Sequence, residues 1–136
     1  MIDMIIGLNF TAMNAKVEEG KLGTKGISVN STPKIVAVEK ADVLEMKDVL
    51  RIKFDFVSKY EPDVGEISLS GALLWRHPDA KKVLKLWEDE KKLETKAAVE
   101  ILNTIFRRCL AKALILAEDV RLPPPVQLPV VKAKAE

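Results

Sequence analysis

The sequence predicts an α+β fold: a four-stranded antiparallel sheet packed against a long C-terminal helix, with a shorter preceding helix and an extended proline-rich tail. Residues 50–75 alternate apolar and polar side chains, which is the pattern of strands that bury one face. Residues 95–119 repeat apolar side chains at helical spacing. All six glycines precede residue 72, so a turn-rich first half is followed by a helical second half.

The length of the chain fits a single domain. Its 136 residues include 48% hydrophobic residues, which is enough to build one core. We expect the strands within residues 1–76, the helices within 78–119 and the extended tail within 122–136.

The best-patterned stretch is a hairpin from Leu50 to Trp75. Its first strand presents the apolar side chains Leu50, Ile52, Phe54, Phe56 and Tyr60. Its return strand presents Ile67, Leu69, Leu73 and Trp75. Because both sets must face the same side, the numbers of opposing residues must sum to an odd value. A turn over residues 62–65 then pairs Phe56 with Gly71, and Gly65 is free to adopt a positive φ.

Two further strands precede this hairpin. The first runs from Ile2 to Val17, and a shift in its alternation predicts a bulge near residues 11–14. The second runs from Ile27 to about Lys40. Pro33 cannot donate a ladder hydrogen bond, so this strand is expected at an edge or with a bulge. Sequential strands are expected to pair, with the order of the first two left open.

Two helices follow the sheet. The first is expected to start at Pro78 and to carry a loose apolar stripe of Val83, Leu84, Leu86, Trp87 and Leu93. It ends or bends near residues 94–95, and the sequence leaves open whether helices 78–93 and 95–119 are continuous. A 24-residue helix spans ~36 Å and a 12-residue strand ~40 Å, so the long helix can cover the inner face of the hairpin.

The tail from residue 122 to residue 131 contains three consecutive prolines at 123–125. Consecutive prolines prevent helix formation and favour an extended polyproline conformation. Leu122, Val126 and Leu128 keep this tail apolar, which predicts that it packs against another surface.

Composition argues against several functional classes. The net charge is +2 and aromatic residues make up 5% of the chain, so neither a basic surface nor base stacking favours nucleic-acid binding. No apolar run approaches the ~20 residues needed for membrane insertion. The amino-terminal residues lack the basic segment of a signal peptide, and a single cysteine excludes an internal disulfide, so a cytoplasmic location is expected.

The chain contains no recognisable catalytic motif. His77 is the only histidine, and its place between strand and helix favours a capping or surface role over catalysis. Cys109 falls in the apolar stripe of the long helix, where a buried, unreactive thiol is expected. Most carboxylates lie beside lysines, which is typical of a solvated face. We therefore expect no enzyme activity, cofactor or metal.

The amount of apolar surface is large for so few elements. One helix covers one face of a four-stranded sheet, and the Trp87 stripe and the tail still need cover. Large exposed apolar patches usually mark protein contacts, which favours an oligomer, a peptide-binding surface or both. The alternative is that the first helix and the tail fold back and cover this surface within a monomer.

The layout resembles the SecB-type preprotein chaperones, in their SecB-like form. The resemblance rests on the hairpin around Tyr60-Glu61-Pro62, the helix around Ile105 to Ala117, and the Leu122-Pro123-Pro124-Pro125-Val126-Gln127-Leu128-Pro129 element. It implies a homo-oligomer, commonly a dimer of dimers, whose apolar grooves hold unfolded or pre-export polypeptides without nucleotide.

One departure from the family concerns the secretion motor SecA. Bacterial members engage SecA through an acidic sheet surface, whereas Arg51, Lys53 and Lys59 are predicted on the exposed face of this hairpin. Some SecB-like proteins instead guard toxin–antitoxin partners, and the sequence does not decide between these roles.

The leading hypothesis is a cytoplasmic, oligomeric, ATP-independent chaperone or protein-binding domain for extended polypeptides. The candidate polypeptide-binding residues are Phe54, Phe56, Trp75, Trp87, Leu122, Val126 and Leu128. The alternative is a non-catalytic adaptor that binds a folded partner, which the polyproline segment motivates.

Overall fold

A computed structural model describes residues 4–18, 20, 26–41 and 48–125. The elements are β1 (Met4–Val17), β2 (Ser28–Lys40), β3 (Val49–Glu61), β4 (Gly65–Arg76), α1 (Ala80–Glu90) and α2 (Thr95–Asp119). The α+β fold and its element order are confirmed. Val126 and Leu128, the tail residues expected to bind polypeptide, lie outside the described residues.

The four strands form one antiparallel sheet in the order β1-β4-β3-β2. The expected sequential pairing is therefore wrong, because β1 pairs with β4 instead of β2. Alternation determines which face a side chain occupies, and it carries no information about which strand lies alongside. Both β1 and β2 are thus outer strands of this sheet.

The predicted irregularities of the outer strands are present. In β1 the register shifts between Phe10 and Ala12, next to the expected bulge, and again between Ile5 and Gly7. In β2, the strand that contains Pro33, it shifts between Ile35 and Ala37. A bulge moves the residues after it to the opposite face, which is why Ile5 packs on the core before the first shift and Leu8 and Phe10 pack on it afterwards.

The hairpin of β3 and β4 has the predicted parity, but each residue of β3 pairs two positions earlier in β4 than expected. Phe54 lies opposite Gly71 and Tyr60 lies opposite Gly65. The turn is shorter than expected because Val64 is fully buried and its N–H bonds to the carbonyl of Tyr60 at 2.9 Å. The positive φ falls on Asp63, at 49°, instead of Gly65.

Two separate helices follow the sheet. The first begins at Ala80, two residues beyond Pro78, and ends before Lys91, which adopts a left-handed conformation with φ 55°. The second begins at Thr95. This break settles the question of continuity, because the left-handed residue turns the chain out of the first helix axis.

The inner face of the sheet is covered mainly by α2. The helix buries one side chain in every four: Ala97, Ile101, Ile105, Cys109, Ala113 and Ala117. The helix contacts β3 and β4, as the length comparison predicted, and it also contacts β2. The ring of Phe106 meets that of Phe56 edge to face, with centroids 6.0 Å apart. Small residues at both ends of the row let the helix lie close to the strands.

The segment after α2 is attached to the tip of the hairpin. Leu122 is buried, and its side chain leaves no room at Gly65, where a Cβ atom would lie 3.0 Å from Leu122 Cδ2 and 2.6 Å from the carbonyl oxygen of Lys16. The Tyr60 hydroxyl donates to the carbonyl oxygen of Pro123 at 2.5 Å. The start of the tail, at Leu122 and Pro123, therefore packs on the sheet, as its apolar character predicted.

Candidate polypeptide-binding groove

Most of the candidate binding residues lie in the core. Phe54, Phe56 and Trp75 are each no more than 1% exposed, and Leu122 is 5% exposed. These side chains lie beneath the molecular surface and do not themselves form a binding surface. Trp87 differs, because it is only half-buried and packs against the edge of the core.

Trp87 lies at an apolar groove of about 280 Å³ beside the outer strand β2, which we call the edge groove. Its lining residues are Pro33, Lys34, Ile35, Trp87, Lys91, Lys92, Leu93, Ala98 and Leu102. They come from β2, α1, the interhelical turn and α2. The apolar members form its surface, and the three lysines are exposed.

The turn between the helices shapes this groove. Lys91 leaves α1 in a left-handed conformation, and its N–H bonds to the carbonyl oxygen of Trp87 at 2.8 Å. Two residues later Leu93 is buried, at 7% exposure, and fixes the turn to the core. The turn therefore sets Trp87 and Leu93 together against β2.

Lysine side chains surround the apolar surface. Lys91 Nζ lies 6.0 Å from the centre of the Trp87 ring, at the outer limit of a cation–π contact. Lys92 Nζ lies 3.8 Å from a carboxylate oxygen of Glu90, and both side chains are exposed. An exposed ion pair of this kind contributes little to stability, so these cations remain available to a ligand.

Two larger clefts lie elsewhere on the sheet. One, of about 400 Å³ at the hairpin tip, has Glu18, Glu61, Asp63 and Glu66 among its lining residues. The other, of about 510 Å³, lies on the outer face of the sheet. That face carries a salt bridge from Lys53 to Glu39 at 2.9 Å and a hydrogen bond from Ser70 to Asp55 at 2.7 Å.

His77 has the structural role that the sequence predicted. Its Nδ1 accepts a hydrogen bond from the N–H of Asp79 at 2.9 Å, just before α1. Its ring packs against Trp75, with centroids 4.8 Å apart. A ring nitrogen that already accepts a backbone hydrogen bond is occupied in holding the start of α1.

Cys109 is fully buried, as expected. Burial raises the pKa of its thiol to about 12, against the smaller opposing effect of the positive charge on Arg108. A thiol held in its protonated form is a poor nucleophile. Among the described residues, no group of three or more His, Cys, Asp or Glu side chains could hold a metal ion.

Sequence reasoning placed Trp87 and Leu93 in one apolar stripe but did not assign the other lining residues to a groove. Pro33 was recognised only as a mark of an outer strand, and Leu102 only as part of a helical stripe. The groove exists because β2 lies under the turn after α1, and this depends on the order of the strands. An apolar stripe on α1 next to a proline-containing outer strand is the signal that could have suggested it.

The sheet order, the two helices and the docked Leu-Pro segment define a SecB-like fold. The chain is similar to the SecB-like chaperone Rv1957 of Mycobacterium tuberculosis, solved in complex with a ChAD peptide from the antitoxin HigA1 (Rv1956). The TM-score is 0.64 at 17% sequence identity, and the match covers 96% of this chain and 90% of the other. The resemblance expected from the sequence is thus confirmed for the fold.

Other comparisons add no further relative. Neither a scan against protein-family models nor a search of curated proteins gives a match. Within the described residues, neither helix has the length and hydrophobicity that a membrane span requires.

Proposed function

We propose that this protein is an ATP-independent, chaperone-like protein that binds extended or unfolded polypeptides. The observation that carries the proposal is the edge groove, an apolar surface beside β2, an outer strand of the described sheet. An extended chain can pair its backbone with the edge of such a strand while an apolar side chain enters the groove. The similar fold has been solved in complex with a peptide, which supports a polypeptide as the kind of ligand.

We also propose that the protein acts as a homo-oligomer, either a dimer or a dimer of dimers. The outer strand β1 contains one charged residue, Lys16, and few charges on a long edge favour pairing with another strand. Met13 on β1 and Ile115 on α2 are 52% and 55% exposed. Light scattering should give a multiple of the 15.1 kDa monomer mass, and a monomer would contradict this part of the proposal.

The chaperone proposal is tested with a reduced, unfolded client protein without added nucleotide. We expect the wild-type protein to keep the client soluble and Trp87→Ser to lose most of this effect. Val36→Ser is the matched control, because Val36 is 47% exposed on the same strand as Pro33 but lines the outer-face cleft. Equal activity of the two variants would place binding elsewhere.

The same assay separates a chaperone from an adaptor. A chaperone of this kind binds the reduced client and not its native form, because only the unfolded chain offers a free backbone and apolar side chains. Binding to a folded partner alone would favour the adaptor. A cytoplasmic location and the absence of enzyme activity stay predictions from the sequence.

A further inference from the structure

We infer that the edge groove selects polypeptide segments in which apolar side chains are flanked by acidic residues. This inference rests on the proposed function, because it names the class of segment that the same groove prefers. The selectivity would come from the lysines at the rim of the groove, which are separate from the apolar residues that form its surface.

The residues that line the groove carry one sign of charge. Three of the nine lining residues are lysines, and none is acidic. Lys34 is exposed on β2, on one side of the groove, while Lys91 and Lys92 follow α1 on the other side. Because Lys34 alternates with Pro33 and Ile35, its side chain leaves β2 on the side of the outer face. An extended segment along the β2 edge would therefore pass between Lys34 and the two lysines that follow α1.

Nearby carboxylates neutralise only part of this charge. Glu90 reaches Lys92 at 3.8 Å. Asp55 lies opposite Lys34 in the sheet, but its carboxylate accepts a hydrogen bond from Ser70 on the other neighbouring strand. Within the described parts of the chain, neither Lys34 nor Lys91 forms a salt bridge. These two lysines are the cations that a bound carboxylate would meet.

The hairpin-tip cleft has the opposite character. Four acidic residues and two lysines are among those that line it, so it does not favour an acidic ligand. A preference for acidic flanks is therefore a signature of the edge groove and reports where a segment binds.

The test uses short fluorescent peptides that share one apolar core and differ only in their flanking residues, which are Asp, Gln or Lys. Fluorescence anisotropy at low ionic strength gives the three dissociation constants. We expect the Asp-flanked peptide to bind about fivefold more tightly than the Gln-flanked peptide, as one well-placed exposed ion pair allows. The Lys-flanked peptide should bind most weakly, and the differences should shrink in high salt.

A charge-reversal variant locates the effect. In Lys34→Glu/Lys91→Glu the order of the three peptides should reverse. In Lys85→Glu, an exposed lysine of α1 that does not line the groove, the wild-type order should persist. Equal affinities of the three peptides, or an unchanged order in the double variant, would overturn the inference and leave the proposed function standing. If no peptide binds at all, both are overturned.

Discussion

The Tyr60 hydroxyl donates a hydrogen bond to the carbonyl oxygen of Pro123, 2.5 Å away, and so joins the hairpin to the segment after α2. Beside it, Leu122 packs over Gly65, the residue opposite Tyr60 in the sheet. Two contacts at one end of the sheet therefore fix where the chain leaves α2. The same end of the sheet holds the hairpin-tip cleft, so the tail starts away from Trp87 and the turn that follows α1.

Removing the Tyr60 hydroxyl should weaken this attachment. Tyr60→Phe keeps the buried ring and loses one hydrogen bond, so we expect the free energy of unfolding to fall by about 0.5–1.5 kcal/mol. Urea denaturation measures the change. Leu122→Ala is the comparison, and removal of its buried side chain should cost about 2–5 kcal/mol. If Tyr60→Phe matched the wild-type protein, the hydrogen bond would contribute nothing to stability.

Alkaline pH should destabilise the protein through the same residue. Burial raises the pKa of Tyr60 to about 12 from its ordinary 10.0. Between these values the unfolded chain has released the phenolic proton while the folded chain retains it, so stability falls as the pH rises through this window. Urea midpoints above pH 10 should decline less steeply in Tyr60→Phe than in the wild type. Parallel declines would show that another group controls alkaline unfolding.

Gly71 should be intolerant of a side chain. A Cβ atom there would collide with the carbonyl oxygen of Asn9 and lie 2.9 Å from the ring of Phe54, so β1 could not keep its place beside β4. We expect Gly71→Ala to lower the free energy of unfolding by about 1–3 kcal/mol, the usual cost of overpacking. At Gly7, on β1 itself, no described residue other than its chain neighbours has an atom within 4 Å of the added Cβ atom. Gly7→Ala should therefore be nearly neutral, and similar losses in both variants would contradict the close approach.

The thiol of Cys109 should be protected in the native protein. It is fully buried and its pKa is raised to about 12, so both access and ionisation are suppressed. Reaction with a chromogenic disulfide reagent near neutral pH should be at least about 100-fold slower in the native state than in urea, because the thiol must first be exposed by opening of the fold. Rapid modification without urea would show that α2 is not packed on the sheet as described.

Local patterns predicted the faces of the strands and helices. The alternation from Leu50 to Trp75 correctly predicted which side chains of the hairpin face the core, because a strand has only two faces. It missed the register by two residues, since the burial of Val64 inside the turn depends on contacts with the rest of the fold. Likewise, no local pattern could show that β1 crosses to β4, because that choice depends on packing between distant segments.

The candidate site was predicted less completely than the fold. Large aromatic residues suggested a binding surface, but Phe54, Phe56 and Trp75 are needed to fill the core between sheet and helix. Trp87 remained at the surface because α1 is short and ends at a left-handed residue. The lysines around it could not be assigned to a groove from the sequence, because Lys34 is more than fifty residues away along the chain. Distant segments of the chain meet at this site.

The central claim is that extended polypeptide binds at Trp87, and tryptophan fluorescence tests it directly. The chain has two tryptophans, so Trp75→Phe leaves Trp87 as the reporter and Trp87→Phe leaves the buried Trp75. Circular dichroism first establishes that both variants are folded. Titration with the Asp-flanked apolar peptide should produce a saturable change in emission from Trp87 and little change from Trp75. A saturable change from Trp75 alone, or binding by anisotropy with no response from Trp87, would contradict the edge groove as the polypeptide-binding site.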